Sequence, residues 1–383
     1  MEFFILKKIN FGIKINFFFT KNFHLWKTLS AGIRSQGFIV LNVASSGIAS
    51  LLLPGGRTAH STFGLPMKIT KTSTCDMKQG TPKAKLIIHT KLIIWDEAPM
   101  MSRFCFEALD RTLRDIMSSV DKDNKYKPFG GKVVVLGGDF RQILPVIRKG
   151  TRQDIVGAAV NASELWSNVK VLTLTTNMRL GTSNHNADQK DIKLFADWIL
   201  KIGDGDLNTD ENGAYDVENP NDLLILQQKD PLKGLVEFAY PDLINNMNFP
   251  EYFHERGILA PTLESVESVN DFVMSLIPGD EKEYRSCDSV CQSDKSHEVN
   301  GECFTTEFLN DIKCSGLPNH ILRLKVGVSV ILMRNIDQAN GLCNGTRLQV
   351  NHLGKNVIRA TVLTYRQECR GRNFHPSNEF SAK

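Results

Sequence analysis

Two adjacent carboxylates, Asp96 and Glu97, close the apolar run Leu92-Ile93-Ile94-Trp95 and are followed at once by Ala98-Pro99. An aspartate at such a strand end can hold Mg²⁺, directly or through water, and a neighbouring glutamate can orient or deprotonate an attacking water. Any buried strand can also end in Asp-Glu ahead of a proline turn, so the chemistry must be argued from the surroundings. Two further runs end in a similar way. Val133 to Leu136 leads into Gly137-Gly138-Asp139-Phe140-Arg141-Gln142, where the glycines allow close backbone approach to a ligand and Gln142 can hold a terminal phosphate or its attacking water. Val169 to Leu174 leads through Thr175-Thr176-Asn177-Met178 to Arg179, which can neutralise charge on a transferred phosphoryl group or be an ordinary solvated cation. A fourth stretch, Arg57-Thr58-Ala59-His60-Ser61-Thr62-Phe63, mixes a cation, hydroxyls, an imidazole and a ring. That mixture suits backbone contacts and base stacking along a single nucleic-acid strand, or a plain polar loop.

The elements that must position these groups read as alternating strands and helices. An apolar run bounded by charge and proline suits a central strand of a parallel sheet covered on both faces, and ligands bind such sheets at the carboxyl ends of the strands. Phe38 to Val43 predicts another buried strand, and Ser45-Ser46-Gly47 then opens a short helix, IASLLL, stopped by Pro54-Gly55-Gly56. A helix follows from about Ser102, its cap, to Met117, with Phe106, Leu109, Leu113 and Ile116 at helical spacing. Residues 202–255 are rich in Asp, Asn and Pro and read as a connecting region. Gly257 to Thr262 then reads as a fresh strand and turn ahead of a helix carrying Val266, Val269 and Phe272. From Leu322 the pattern changes to short strands, and Asn344-Gly345 is a tight-hairpin signal because both residues tolerate positive φ. Lys325, Arg334 and Arg347 in this region can face DNA or lie on solvated strand faces.

With 383 residues, 42% of them apolar, the chain is long enough for two or three domains. A net charge of +4 permits a nucleic-acid partner without requiring one. Eight scattered cysteines and no evident secretory signal favour reduced thiols. Cys287, Cys291, Cys303 and Cys314, with His297 among them, lack the close pairs of a structural zinc site, so none is expected. No apolar run approaches the roughly 18 residues needed to span a bilayer. Phe, Ile, Lys and Asn supply 18 of the first 24 residues, and Lys7, Lys8, Lys14 and Lys21 break any apolar centre. This opening segment fits neither a secretory signal nor an Arg- and Ser-rich presequence.

Taken together, LNVASSGIASLLLPGGRTAHSTF, LIIWDEAPMMSRFCFEALDRTLRDI, FGGKVVVLGGDFRQILPV and LTTNMRL resemble the superfamily-1 DNA helicases of the petite integration frequency type, in the plant and transposon-associated branch. The resemblance continues through GILAPTLESVESVNDFV and LPNHILRLKVGVSVILMRNIDQANGLCNGTRL, and covers about Leu25 to Thr364. It implies an α/β architecture: a RecA-like parallel-sheet motor domain over 25–200, the connecting region over 201–255, a partial second RecA-like domain over 256–304 and a small SH3-like β-barrel insertion over 305–365. An atypical segment, 1–24, and a truncated tail, 366–383, flank these. The implied activity is ATP-driven, 5′-to-3′ translocation on single-stranded or forked DNA, in a nuclear setting of repair, recombination and telomere maintenance. Carried over position by position, Asp96 would hold Mg²⁺, Glu97 would be the base, and Gln142 and Arg179 would contact the γ-phosphate of ATP. Thr58, His60, Ser61 and Phe63 would touch DNA from one motor domain and Thr262 from the other.

The sequence also departs from that pattern. It contains no G-x-x-x-x-G-K-[ST] loop, whose amides and lysine grip the β- and γ-phosphates. Trp26 precedes Lys27-Thr28 and Lys21 stands five residues further back, so neither glycine is present. In the family the loop ends just before a segment like LWKTL, so its Lys and Thr would fall at Asn22 and Phe23, which supply neither the charge nor a magnesium ligand. The last motor motif is expected beyond the barrel and is not found before Lys383, and Leu263 follows Ala260-Pro261-Thr262 where relatives carry Asn. The expectation is therefore a helicase whose hydrolysis is very slow or absent, or else a catalytically inactive remnant that binds single-stranded DNA. A phosphotransferase on a small substrate leaves the hairpin-rich second half unexplained.

Overall fold

The structure, a computed structural model, describes residues 2–6, 22–174, 186–205, 217–225, 229–254, 256–288, 305–312, 318–337, 341–363 and 379–382. The chain divides into two compact units, Met1–Glu218 and Asn219–Lys383.

In the first unit the elements run β1 (Glu2–Leu6), α1 (Asn22–Arg34), β2 (Ile39–Ala44), α2 (Gly47–Leu52), β3 (Arg57–Thr58), α3 (Ala59–Phe63), α4 (Pro82–His89), β4 (Thr90–Asp96), α5 (Arg103–Ser118), β5 (Val133–Gly138), α6 (Arg152–Ala158), β6 (Lys170–Leu174) and α7 (Asn186–Asp204). They build one six-stranded sheet in the order β3-β2-β4-β5-β1-β6. The strands β3, β2, β4 and β5 are parallel, with Ala44 level with Asp96 and Trp95 level with Leu136. The expected strands over 38–43, 92–96 and 133–136 therefore all form and end at one edge. β1 runs antiparallel to both β5 and β6.

Helices on both faces explain why β4 is apolar from Leu92 to Trp95. On one face Trp95 lies between Phe63 and Phe106, with ring centroids at 5.7 and 4.5 Å. Here α5 supplies the stripe Phe106, Leu109, Leu113 and Ile116, all buried as its spacing predicts, and Ser102 caps it by accepting the Phe104 amide at 3.4 Å. On the other face Trp26 and Leu25 of α1 pack with Val40, Ile94 and Val135. Full burial of each such side chain contributes on the order of 1.5–3 kcal/mol. Arg34 ties the end of α1 to the sheet by donating to the Val40 carbonyl at 3.0 Å.

The second unit contains α8 (Pro231–Ala239), α9 (Leu243–Asn246), α10 (Pro250–His254), α11 (Leu263–Leu276), β7 (Lys282–Arg285), α12 (Thr306–Asp311), β8 (Ile321–Leu324), β9 (Ser329–Ile331), β10 (Arg347–Leu353), β11 (Ile358–Val362) and β12 (Glu379–Ala382). β7 pairs with β8, and β12-β11-β10-β9 form an antiparallel meander. Three sequence expectations change here. The span 202–255 is not simply a connection, because Leu243, Met247, Tyr252 and Phe253 are buried against Leu324, Val328 and Val350 in this unit's core. Gly257 to Ala260 form no strand, and Leu259 is 99% exposed. The described ladders of this unit are antiparallel pairs among other segments. Asn344-Gly345 does turn, with Gly345 at φ 91° and its amide on the Leu332 carbonyl at 2.7 Å. It lies near the end of a longer connection between β9 and β10, not in a two-residue hairpin.

Candidate functional site

Asp96 is the last residue of β4 and is 9% exposed. Its backbone is fixed from β2. The Ser45 amide and hydroxyl both donate to the Asp96 carbonyl, at 3.1 and 3.4 Å, and the Trp95 indole N–H donates to the same hydroxyl at 3.1 Å. Glu97, half-buried, then adopts a left-handed backbone at φ 53° and ψ 38°. For a residue with a Cβ this conformation costs roughly 1–2 kcal/mol, and such strain concentrates at functional sites. The reversal drops Ala98 and Pro99 into the core immediately after the two carboxylates. Two hard oxygen donors at a strand end fit a hydrated Mg²⁺ delivered together with a nucleotide.

The neighbouring strand β5 brings a second turn to the same edge. A Cβ at Gly138 would overlap the Pro99 ring, and one at Gly137 would overlap the Trp26 ring. These glycines therefore admit two of the protein's own side chains. Asp139 shapes the turn itself: its Oδ1 accepts the Arg141 amide at 3.0 Å and its carbonyl accepts the Gln142 amide at 3.1 Å. Phe140 meets the Trp166 ring edge-on at 5.9 Å, and Gln142 is left exposed. Arg179 lies outside the described residues.

The stretch just before α1, where a phosphate loop is expected, lies outside the described residues, but its flanking elements do not. In a strand-loop-helix unit the strand runs parallel to its neighbours and ends beside the first turn of the helix. α1 begins at Asn22, yet β1 runs the other way, with Phe3 paired to Gly138 and Leu6 to Val135. It is thus the start of β1, not its end, that reaches the level of Asp96.

The stretch from Arg57 to Phe63, expected as a loop, is a two-residue strand on β2 followed by a one-turn helix. Thr58 caps that helix by accepting the Ser61 amide at 3.3 Å and is buried. Phe63 is fully buried against Trp95, so its ring is held in the core. Ser61 is exposed and His60 half-buried, its imidazole pKa lowered by that burial. In the second unit Thr262 caps α11, accepting the Ser265 amide at 3.2 Å, and stays exposed, with Leu263 the first helical residue.

Two of the three cations considered for DNA contact are committed elsewhere. Lys325 donates to the Met274 and Ile277 carbonyls at 2.9 and 2.8 Å, capping the end of α11, and Arg347 donates to the Arg256 carbonyl at 2.8 Å. Arg334 is exposed. Among the described residues no group of three or more His, Cys, Asp or Glu side chains could hold a metal, and no helix is long and apolar enough to cross a membrane. Cys287 is an exposed free thiol, whereas Cys291, His297, Cys303 and Cys314 lie outside the described residues. Sequence reasoning missed the Ser45 clamp and a contact between Arg141 and Asp204, because neither pairing leaves a local spacing signal.

Comparison with known proteins bears on this arrangement. The family model for PIF1-like helicases matches residues 16–213, and that for the 2B domain of the DNA helicase Pif1 matches residues 307–353. The ATP-dependent DNA helicase PIF4 of Trypanosoma brucei brucei is 30% identical over 142 residues, covering 36% of this chain and 17% of that protein. The ATP-dependent DNA helicase PIF1 of Danio rerio is 24% identical over 309 residues, covering 79% of this chain and 38% of that protein. The chain thus spans well under two thirds of the length of these relatives. The crystal structure of Bacteroides Pif1 bound to ssDNA superposes with a TM-score of 0.51 at 21% identity, over 89% of this chain and 66% of that one, so the two share a fold.

Proposed function

The chain belongs to the PIF1-like helicase family, and from that premise we propose that it is a DNA motor polypeptide: an ATP-dependent helicase of single-stranded or forked DNA, moving 5′ to 3′. One observation carries the reading. Asp96 and Glu97 end β4 at the same sheet edge where β5 ends and presents Gln142. With Mg²⁺–ATP as substrate, Asp96 holds the metal directly or through water and Glu97 takes the proton of the attacking water. Gln142 and Arg179 would contact the γ-phosphate and answer its developing charge. Ser61 and His60 on one unit and Thr262 on the other are the groups offered to the DNA backbone, with Thr58 and Phe63 holding the first of these segments in place. A nuclear role in repair, recombination or telomere maintenance follows from the family resemblance alone.

A second reading is favoured by a specific observation. Asn22 and Phe23 stand where the phosphate loop's Lys and Thr would fall, and β1 runs opposite to the strand such a loop requires. On that account this polypeptide hydrolyses ATP very slowly or not at all and acts as a holder of single-stranded DNA. ATPase rate with and without single-stranded DNA, compared with Glu97→Gln, separates the two. DNA-stimulated turnover that falls by about 10²–10⁴-fold in Glu97→Gln supports the motor. Salt-sensitive DNA binding without turnover supports the remnant, since backbone contacts give a steep salt slope. Neither binding nor turnover would sink both.

A further inference from the structure

Residues 2–6, in a segment that fits no targeting signal, form the one strand of the first unit's sheet that runs against the rest. β1 is also an interior strand. On one side Phe3 to Leu6 pair with Gly138 to Val135, and on the other Glu2 to Leu6 pair with Leu174 to Lys170. Among the described residues β6 has no other ladder partner, so β1 alone joins it to the sheet. That place is unusual, because a mostly parallel sheet takes its antiparallel strand at an edge as a rule.

The chain around β1 leaves it free to detach. Its five residues rise about 17 Å at the usual strand pitch. Residues 7–21 separate it from α1 and reach at most about 50 Å when fully extended. β1 can therefore leave the slot without pulling on α1. Its departure bares two ladder edges at once, those of β5 and β6, and an open edge is a template for the next extended chain that fits it. The best-fitting chain is another β1. Glu-Phe-Phe-Ile-Leu is rich in strand-favouring residues, and an identical copy reproduces every ladder bond of the cis strand.

We propose that the slot between β5 and β6 is a strand-accepting site, which binds a short apolar segment in extended, antiparallel form and takes it from β1 of a second copy of this chain when the cis strand is displaced. Main-chain hydrogen bonds hold the guest from both sides, where addition to a sheet edge offers only one. Exchange of this kind creates no new contact. The cis strand therefore keeps the slot at low concentration, and exchange rises with concentration.

The test is made on the full chain carrying Phe4→Pro, which removes an amide from the middle of an interior strand. Hydrogen exchange is read over 170–174, with residues 40–43 of β2 and 92–95 of β4 as the control. Exchange over 170–174 should quicken by about tenfold or more, the order expected when a buried backbone bond is lost, while the control strands stay parental. A free peptide of residues 1–8 should bind the variant saturably and slow that exchange again, and the filled slot of the dilute parent should refuse it. Sedimentation of the parent should show a dimer that grows with concentration and is absent in Phe4→Pro. Unchanged exchange over 170–174 overturns the slot, as does quickening that spreads to the control strands or that the peptide fails to reverse. A parent that stays monomeric, or a Phe4→Pro chain that dimerises equally well, overturns the second copy as partner. None of these readouts involves nucleotide or DNA, so they leave the proposed function untouched.

Discussion

Glu97 combines at one position the carboxylate proposed as the base and a left-handed backbone that glycine would adopt more easily. Glycine relieves roughly 1–2 kcal/mol of conformational strain and costs about 0.5–1 kcal/mol in unfolded-state entropy. Glu97→Gly should therefore melt above Glu97→Gln by about 1–3 °C, and a Glu97→Gly chain melting below Glu97→Gln would refute the strain. The buried cysteines make a different kind of statement. Burial pushes the Cys75 thiol up to about 11 and the Cys105 thiol to about 12, which leaves almost no thiolate at neutral pH. Iodoacetamide followed by peptide mass spectrometry should label exposed Cys287 in the native protein and reach Cys75 and Cys105 only on unfolding. Rapid native labelling at Cys105 would contradict the packing. Sequence spacing could locate Asp96 and Glu97, because a period change and two charges are local signals. It could not tell that Gly137 and Gly138 exist for Trp26 and Pro99, because those contacts bridge separate elements.

At the scale of elements, the C-terminal end of α11 shows how a cation can be mistaken for a ligand contact. Lys325 looks like a DNA-facing lysine on a strand, yet its ammonium closes the last carbonyls of α11. Lys325→Met should cost on the order of 1 kcal/mol in stability and leave the salt slope of DNA binding unchanged. Arg334→Ala, at an exposed position, should do the reverse if that strand edge meets phosphate, lowering the slope by about one unit. A reduced slope for Lys325→Met would show that the helix cap also serves DNA. The expected helix over 102–117 and the strands of the parallel sheet were readable because periodicity and apolar runs survive in isolation. The expected strand at Gly257 does not form, since a strand exists only where it pairs with a neighbour, and local sequence carries no record of that pairing.

For the molecule as a whole, pH acts through groups whose ionisation folding alters. Lys132 donates to the Ile88 and Thr90 carbonyls at 2.6 and 2.8 Å, and burial, aided by the charge of Lys91, lowers its pKa from 10.5 to about 8. Between those values the unfolded chain binds the extra proton, so this group's contribution to stability rises as pH goes from about 8 to 10.5. The raised thiols of Cys75 and Cys105 work in the opposite direction above their ordinary value of 9.0. The difference between parent and Lys132→Met isolates the lysine: the parent should gain stability relative to the variant across that window, and a flat difference would show that the folded lysine keeps its ordinary pKa. Leu243, Met247, Tyr252 and Phe253 read in sequence as sparse apolar residues of a connecting region and are in fact core of the second unit, because their partners Leu324, Val328 and Val350 lie far along the chain.

The hydrogen bond from the Trp95 indole to Ser45, whose own proton reaches the Asp96 carbonyl, places a fully buried fluorophore two bonds' reach from the acidic strand end. Emission from that indole is set by the dipoles around its N–H, so any ligand that draws Asp96 toward itself should register as a change in intrinsic fluorescence. The protein thereby carries its own optical reporter beside the carboxyl end of β4, readable without a label and with its contribution removed in Trp95→Phe.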